Sequence, residues 1–161
     1  GDLDKALPLV EGLIRERPAD PFFQELLGQI LFENGRVAES LVPYTLAVQL
    51  QPDSYLLRVG LARAQLEVND PALLKAAILN LRSALLSQRG SAFIWHQLVI
   101  AYGRDGQMGM SNLAMAEEYF LRGDKPKALY HAMHAEKTLP RGSPAWLQAQ
   151  DIKWAAEEEK K

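Results

Sequence analysis

Apolar residues recur along this chain at intervals of three and four, the spacing that lays side chains along one stripe of an α-helix. Leu27, Leu31 and Tyr44 hold such spacing for a buried stripe, and Trp95, Leu98 and Tyr102 share one helical face. With its breakers, the pattern predicts nine helices, over about 2–17, 21–34, 36–51, 54–68, 71–88, 92–105, 109–122, 125–138 and 144–158. Asp20-Pro21, Asp70-Pro71 and Ser143-Pro144 each set a capping residue before a proline at the first helical position. The closing run Glu157-Glu158-Glu159-Lys160-Lys161 reads as a solvated helix end.

The helices repeat. Gly1, Gly35 and Asn69 are 34 residues apart, as are Pro18 and Pro52, Leu27 and Leu61, and Gly28 and Ala62. A further copy is displaced to 37, from Leu61 to Leu98 and from Asn69 to Gly106, which places three extra residues within Asn69-Asp70-Pro71-Ala72-Leu73-Leu74. Each position has a physical reason. Gly28 lets a neighbouring element approach, and Gly35 accepts the positive φ that ends a helix. Ala38 and Ser40 keep the second helix of the pair near the first, Ala47 keeps it near the next repeat, and Pro52 stops it. A last unit reads Ala116, Tyr119, Gly123, Ala128, Ala135 and Pro140, with the spacing of Gly28, Leu31, Gly35, Ser40, Ala47 and Pro52. Departures are Val99 in place of the small residue, and Arg89-Gly90 where a terminal proline is expected. The segment Met108 to Arg122 serves two units at once.

This pattern resembles the tetratricopeptide repeat across nearly the whole chain: leucine or aromatic, small residue, tyrosine, turn glycine, two alanines, proline. The resemblance implies an all-α, right-handed superhelical solenoid of antiparallel helix hairpins forming a single domain over 1–161. Its first helix is half of a truncated hairpin, since Ala6, Val10 and Pro18 match Ser40, Tyr44 and Pro52, and 144–158 is a C-terminal cap anchored by Trp146. The last third is closer to one group. Ala114-Met115-Ala116-Glu117-Glu118-Tyr119, Leu121-Arg122-Gly123-Asp124 and Pro140 through Asp151 resemble the C-terminal repeat domain of bacterial periplasmic zinc metallopeptidases, such as the β-barrel assembly-enhancing protease. That resemblance implies a periplasmic location, a zinc-bearing protease domain upstream in the same parent chain, and clients from outer-membrane assembly; the absence of cysteine fits cytoplasm and periplasm alike. A stand-alone tetratricopeptide scaffold or chaperone adaptor is the alternative.

Composition narrows the chemistry. The net charge of -2 offers no basic excess for a phosphate backbone, so nucleic acid is not an expected partner. There is no cysteine, hence no disulfide and no thiolate zinc site. No apolar run approaches the roughly 20 residues that span a bilayer. The opening Gly1-Asp2-Leu3-Asp4, in a hairpin turn and without methionine, leads to the expectation of an excised piece whose first helix exposes an apolar face to a second copy.

No cofactor is expected in this chain. The His-Glu-x-x-His zinc run is missing from the sequence, and with it the family's catalysis. His131 and His134 share a helix face but have no evident third ligand, since Glu136 points elsewhere at helical spacing. Gly103, Gly106 and Gly109 follow no strand and so make a turn, not a phosphate loop. Trp95, Tyr102 and Tyr119 are expected in the core. Asp151 and the terminal glutamates form no catalytic pair.

The expected working surface is the inner face, lined by the first helix of each pair. It is made of Phe22, Glu25, Gln29 and Glu33; of Leu56, Val59, Arg63 and Glu67; and of Phe93, His96, Gln97, Ile100 and Arg104, with Met110 and Glu117 extending it. The large apolar members suit an extended or helical client segment, and Arg63, His96, Gln97 and Arg104 suit its backbone or a carboxylate. Glu25, Gln29 and Glu33 disfavour the C-terminal carboxylate that chaperone adaptors grip.

Overall fold

The computed structural model describes residues 2–158; Gly1 and the final Glu159-Lys160-Lys161 of the predicted solvated run lie outside the described residues. Nine α-helices follow one another and no strand occurs among the described residues: α1 Leu3–Glu16, α2 Pro21–Glu33, α3 Val37–Leu50, α4 Tyr55–Glu67, α5 Pro71–Leu85, α6 Ala92–Arg104, α7 Met108–Leu121, α8 Lys125–Thr138 and α9 Pro144–Glu158. Each begins and ends near its expected place because its punctuation is local. Asp20 Oδ1 accepts from the Phe22 amide at 3.0 Å and Asp70 Oδ1 from the Ala72 amide at 2.9 Å, ahead of prolines that need no partner. The Ser54, Ser91 and Ser143 hydroxyls cap α4, α6 and α9 in the same way. Gly35, Asn69, Gly106 and Gly123 all hold positive φ at inter-helix turns, so the repeating turn residue has a repeating conformation.

The helices group into two compact units, Gly1–Ser87 and Gln88–Lys161. In the first unit α2 pairs with α3 and α4 with α5, while α1 packs on α2 and α4 reaches both α3 and α2. Val10 is the buried residue of α1, in the slot that Tyr44 fills one repeat later, while Leu9 and Leu13 remain exposed. Tyr44, Leu61 and Ala64 form a core cluster against Phe32, Leu41 and Val48. Ser40 is buried as expected; Ala38 is exposed, because it lies two residues and so roughly 200° away around α3.

A polar chain, buried at Gln65 and Asn80 and half-buried at Arg58, joins α4 to α5. Asn80 Nδ2 donates to Gln65 Oε1 at 3.1 Å, Arg58 Nη1 donates to Asn80 Oδ1 at 3.0 Å, and Arg58 Nε donates to the Pro52 carbonyl at 2.7 Å. Each polar group in this chain is satisfied by the next, which is the condition for keeping it out of water.

In the second unit α7 pairs with both α6 and α8, and α9 packs on α8 and α7. The segment expected to serve two units does so: α7 is the second helix of one hairpin and the first of the next. Ser111, buried at its start, donates to the Val99 carbonyl at 3.0 Å across α6 and α7. Leu113, Ala116, Ala128, Ala132, Ala135, Ala149 and Ile152 form the core here, and the small residues among them let the backbones come close. Tyr102 is buried, while Trp95 and Tyr119 are half-buried; the Trp95 indole N–H donates to the Arg89 carbonyl at 3.1 Å. Trp146 is half-buried and Trp154 is exposed on the outer side of α9.

Candidate partner-binding surface

In the first unit the surface is built on α2 and α4. At 100° per residue, Phe22, Glu25, Gln29 and Glu33 fall within one narrow sector of α2, and Leu56, Val59, Arg63 and Glu67 within the matching sector of α4. The opposite sectors serve packing, through Gly28 and Leu31 on α2 and through Leu61, Ala62 and Gln65 on α4. What remains is an apolar and charged face. Phe22 is 49% exposed and Leu56 53%, both large groups with no share in the core. Val59 is half-buried.

The floor between the two helices is Tyr44. A Cβ on Gly28 would meet its ring at 2.9 Å, and one on Gly60 would meet it at 3.0 Å, so the ring is held between two bare backbone surfaces. Burial pushes the Tyr44 phenol above its usual range. Among the charges, Arg63 pulls it down while Glu25 and Glu33 push it up, so its hydroxyl end lies within electrostatic reach of all three.

The charged groups differ in their bonds. Gln29 Nε2 donates to Glu33 Oε1 at 2.8 Å. The Arg63 guanidinium lies over the Phe32 ring, 5.3 Å from its centroid. Glu25 is half-buried, and that burial alone holds its carboxyl above the ordinary carboxylate range. It makes no hydrogen bond or ion pair with a described residue.

In the second unit α6 carries Phe93, His96, Gln97, Ile100 and Arg104 in one sector, with Ile94, Leu98, Ala101 and Tyr102 turned to the core. Phe93 is 47% exposed, and Gln97 and Ile100 are half-buried. His96 has a structural partner that the sequence did not disclose: its Nδ1 lies 3.0 Å from Glu118 Oε2, and Arg122 Nε donates to Glu118 Oε1 at 3.0 Å. Glu118 is buried, so its charge is held by two groups and not left to a partner. Met110 and Glu117 do not extend an open face. Met110 packs against the core, and Glu117 Oε1 accepts from Gln148 Nε2 of α9 at 2.5 Å. Burial raises the Glu117 carboxyl above its ordinary range, and the Gln148 bond offsets part of that.

The histidine pair of α8 is engaged in packing. His131 Nδ1 lies 3.1 Å from Asn112 Oδ1 and its ring stacks on Tyr119, at 5.5 Å between centroids and 7° between planes. His134 Nδ1 lies 3.0 Å from the Tyr130 carbonyl. Glu136 is turned to Lys153 at 3.2 Å. No group of three or more metal-ligating side chains occurs among the described residues. No helix among them is long and apolar enough to cross a membrane.

No protein-family model matches the chain, and no curated protein matches it in sequence. Solved structures do share its fold. MamA is similar with a TM-score of 0.72 at 18% identity, over 99% of this chain and 90% of that one. MamA 41-end from Desulfovibrio magneticus RS-1 gives 0.70 at 18%, over 99% and 86%. TTC0263, a thermophilic TPR protein of Thermus thermophilus, gives 0.54 at 20%, over 93% and 90%. At such identities the likeness establishes fold and nothing finer: this is an all-α, tetratricopeptide-like helical-repeat chain.

Proposed function

We propose that this chain is a protein-interaction domain that holds a peptide segment of its partner against the exposed faces of its first-of-pair helices. The observation that carries the reading is the pair Phe22 and Leu56, half-exposed on neighbouring helices α2 and α4 and free of any role in the core. Large apolar groups interspersed with polar and charged ones suit a peptide-binding face. Phe93 on α6 offers a similar anchor in the second unit. The repeat fold supports the reading, since it turns one helix of each pair toward packing and leaves a sector of the other available.

The biological setting we propose is the periplasm, as the recruiting module of a zinc metallopeptidase, with outer-membrane assembly clients and a protease domain in the same parent chain. What supports this is the sequence resemblance from Ser91 to Asp151 alone. A stand-alone scaffold fits the same structure equally. The coding sequence before Gly1 separates them: a His-Glu-x-x-His run there favours the first setting, and its absence the second.

The binding reading is tested by panning a random-peptide phage library on the folded protein and on a Phe22→Ala/Leu56→Ala variant of equal helicity by circular dichroism. Enrichment on the parent protein that is lost on the variant is the expected result. No enrichment on the parent, or equal enrichment on both, contradicts it. Phe93→Ala asks the same question of the second unit.

A further inference from the structure

The first unit's face has a charge that no described residue answers. Glu25 lies in the sector between Phe22 and Gln29, half-buried and without a hydrogen-bonding or ionic partner among the described residues. Three carboxylates, Glu25, Glu33 and Glu67, occupy the α2 and α4 sectors against one guanidinium, that of Arg63. The Arg63 guanidinium lies over the ring of Phe32, in the last turn of α2. Glu33 already accepts a hydrogen bond from Gln29. Glu67 is exposed to water at the end of α4, so the half-buried carboxylate left unanswered is the one in the sector of Phe22.

A half-buried carboxylate bears a desolvation cost that an exposed one does not. A cation brought by a partner offsets that cost. An ammonium or guanidinium bonded to a carboxylate at the edge of an apolar contact is shielded from water, so it counts for more than a surface ion pair. The long methylene stem of Lys or Arg also covers apolar surface while its head reaches the charge. A carboxylate-bearing or C-terminal segment meets the opposite situation, three like charges to one.

Resting on the peptide-binding reading above, we infer that the α2 and α4 face of the first unit selects a basic-apolar segment. Glu25 pairs with a Lys or Arg side chain of the partner, and Phe22 and Leu56 receive the apolar residues on either side of it.

The test uses the peptides enriched by the library on the whole chain, synthesised with their basic residue kept, replaced by glutamine, or replaced by glutamate, and titrated by fluorescence anisotropy. The enriched sequences should carry Lys or Arg flanked by apolar residues. Glu25→Gln, and separately the loss of the peptide's basic residue, should each weaken binding by about tenfold or more, the ordinary size of a charge-assisted bond. The two losses should not add, and Glu25→Lys should bind the glutamate peptide better than the parent protein does. Peptides that need Phe22 and Leu56 yet lack a basic residue, or that ignore Glu25→Gln, overturn this inference and leave peptide binding standing. If no peptide binds the parent more tightly than the Phe22→Ala/Leu56→Ala variant, the binding reading falls and this inference falls with it.

Discussion

Tyr44 ties the packing of the first unit to its surface. Its ring lies against Gly28 on one side and Gly60 on the other, both within 3.0 Å of where a Cβ would stand. Gly28→Ala gains about 1 kcal/mol of helix propensity. It also drives a methyl into a ring that Gly60 prevents from moving away, an overpacking loss of about 1–3 kcal/mol. The net expectation is a loss of up to about 2 kcal/mol in urea titration, replaced by a net gain in a Tyr44→Leu background. A Gly28→Ala protein more stable than the parent by the full propensity gain would show that the ring is not confined as described. The small residue at position 28 was legible in the sequence because it recurs as Ala62; Gly60 was not, because it falls off the repeat and gains meaning only once α4 is set against Tyr44. Val10 could be anticipated for the same reason as Gly28, by its match to Tyr44. His96 illustrates the limit. Its sector on α6 follows from periodicity, but its bond to Glu118 joins side chains 22 residues apart, which no local spacing reports.

Among the elements, the helix ends were readable to within a few residues, because caps, prolines and positive-φ turns act on their immediate neighbours. Asn69 shows this well: it holds φ 57 in the place that glycine takes in the preceding repeat. How the elements attach to one another was less legible. The run Arg58–Asn80–Gln65 and the Glu117–Gln148 bond depend on which helix faces which. The second of these makes α9 a packed part of the second unit and gives a pH test. The folded chain holds the Glu117 proton more tightly than the unfolded chain does, because burial disfavours the carboxylate. Its contribution to stability is therefore full below the ordinary glutamate range and declines as pH rises through the higher folded value. Glu117→Gln keeps an acceptor for Gln148 and removes the charge. At neutral pH it should raise the melting temperature, and the gap to the parent should close as pH falls below the ordinary glutamate range. A gap that widens on acidification would mean that the ionised form is the stabilising one.

For the molecule as a whole, the fold class follows from the 34-residue period together with the helical spacing and turn residues inside each repeat, the pattern of stacked helical hairpins. The division beside Ser87 and Gln88 was not read from the pattern, although it falls next to Arg89-Gly90, where the repeat lacks its expected proline. The candidate surface was half legible. Periodicity names a sector on each helix, but not which of its members are engaged within the chain: His96 and Gln29 have partners, whereas Phe22, Leu56 and Glu25 keep a side available. The first unit also exposes Val42 and Leu46 on α3, Leu79 on α5 and Leu86 just past its end, so exposure of apolar groups does not by itself choose the working face. A titration of the isotope-labelled protein with a library-selected peptide, followed by amide chemical shifts, makes that choice directly. The shifts should gather at Phe22, Glu25, Gln29, Leu56 and Arg63 and leave Val42, Leu46, Leu79 and Leu86 unmoved; shifts gathered on those last four residues would contradict the assignment of the binding face to α2 and α4.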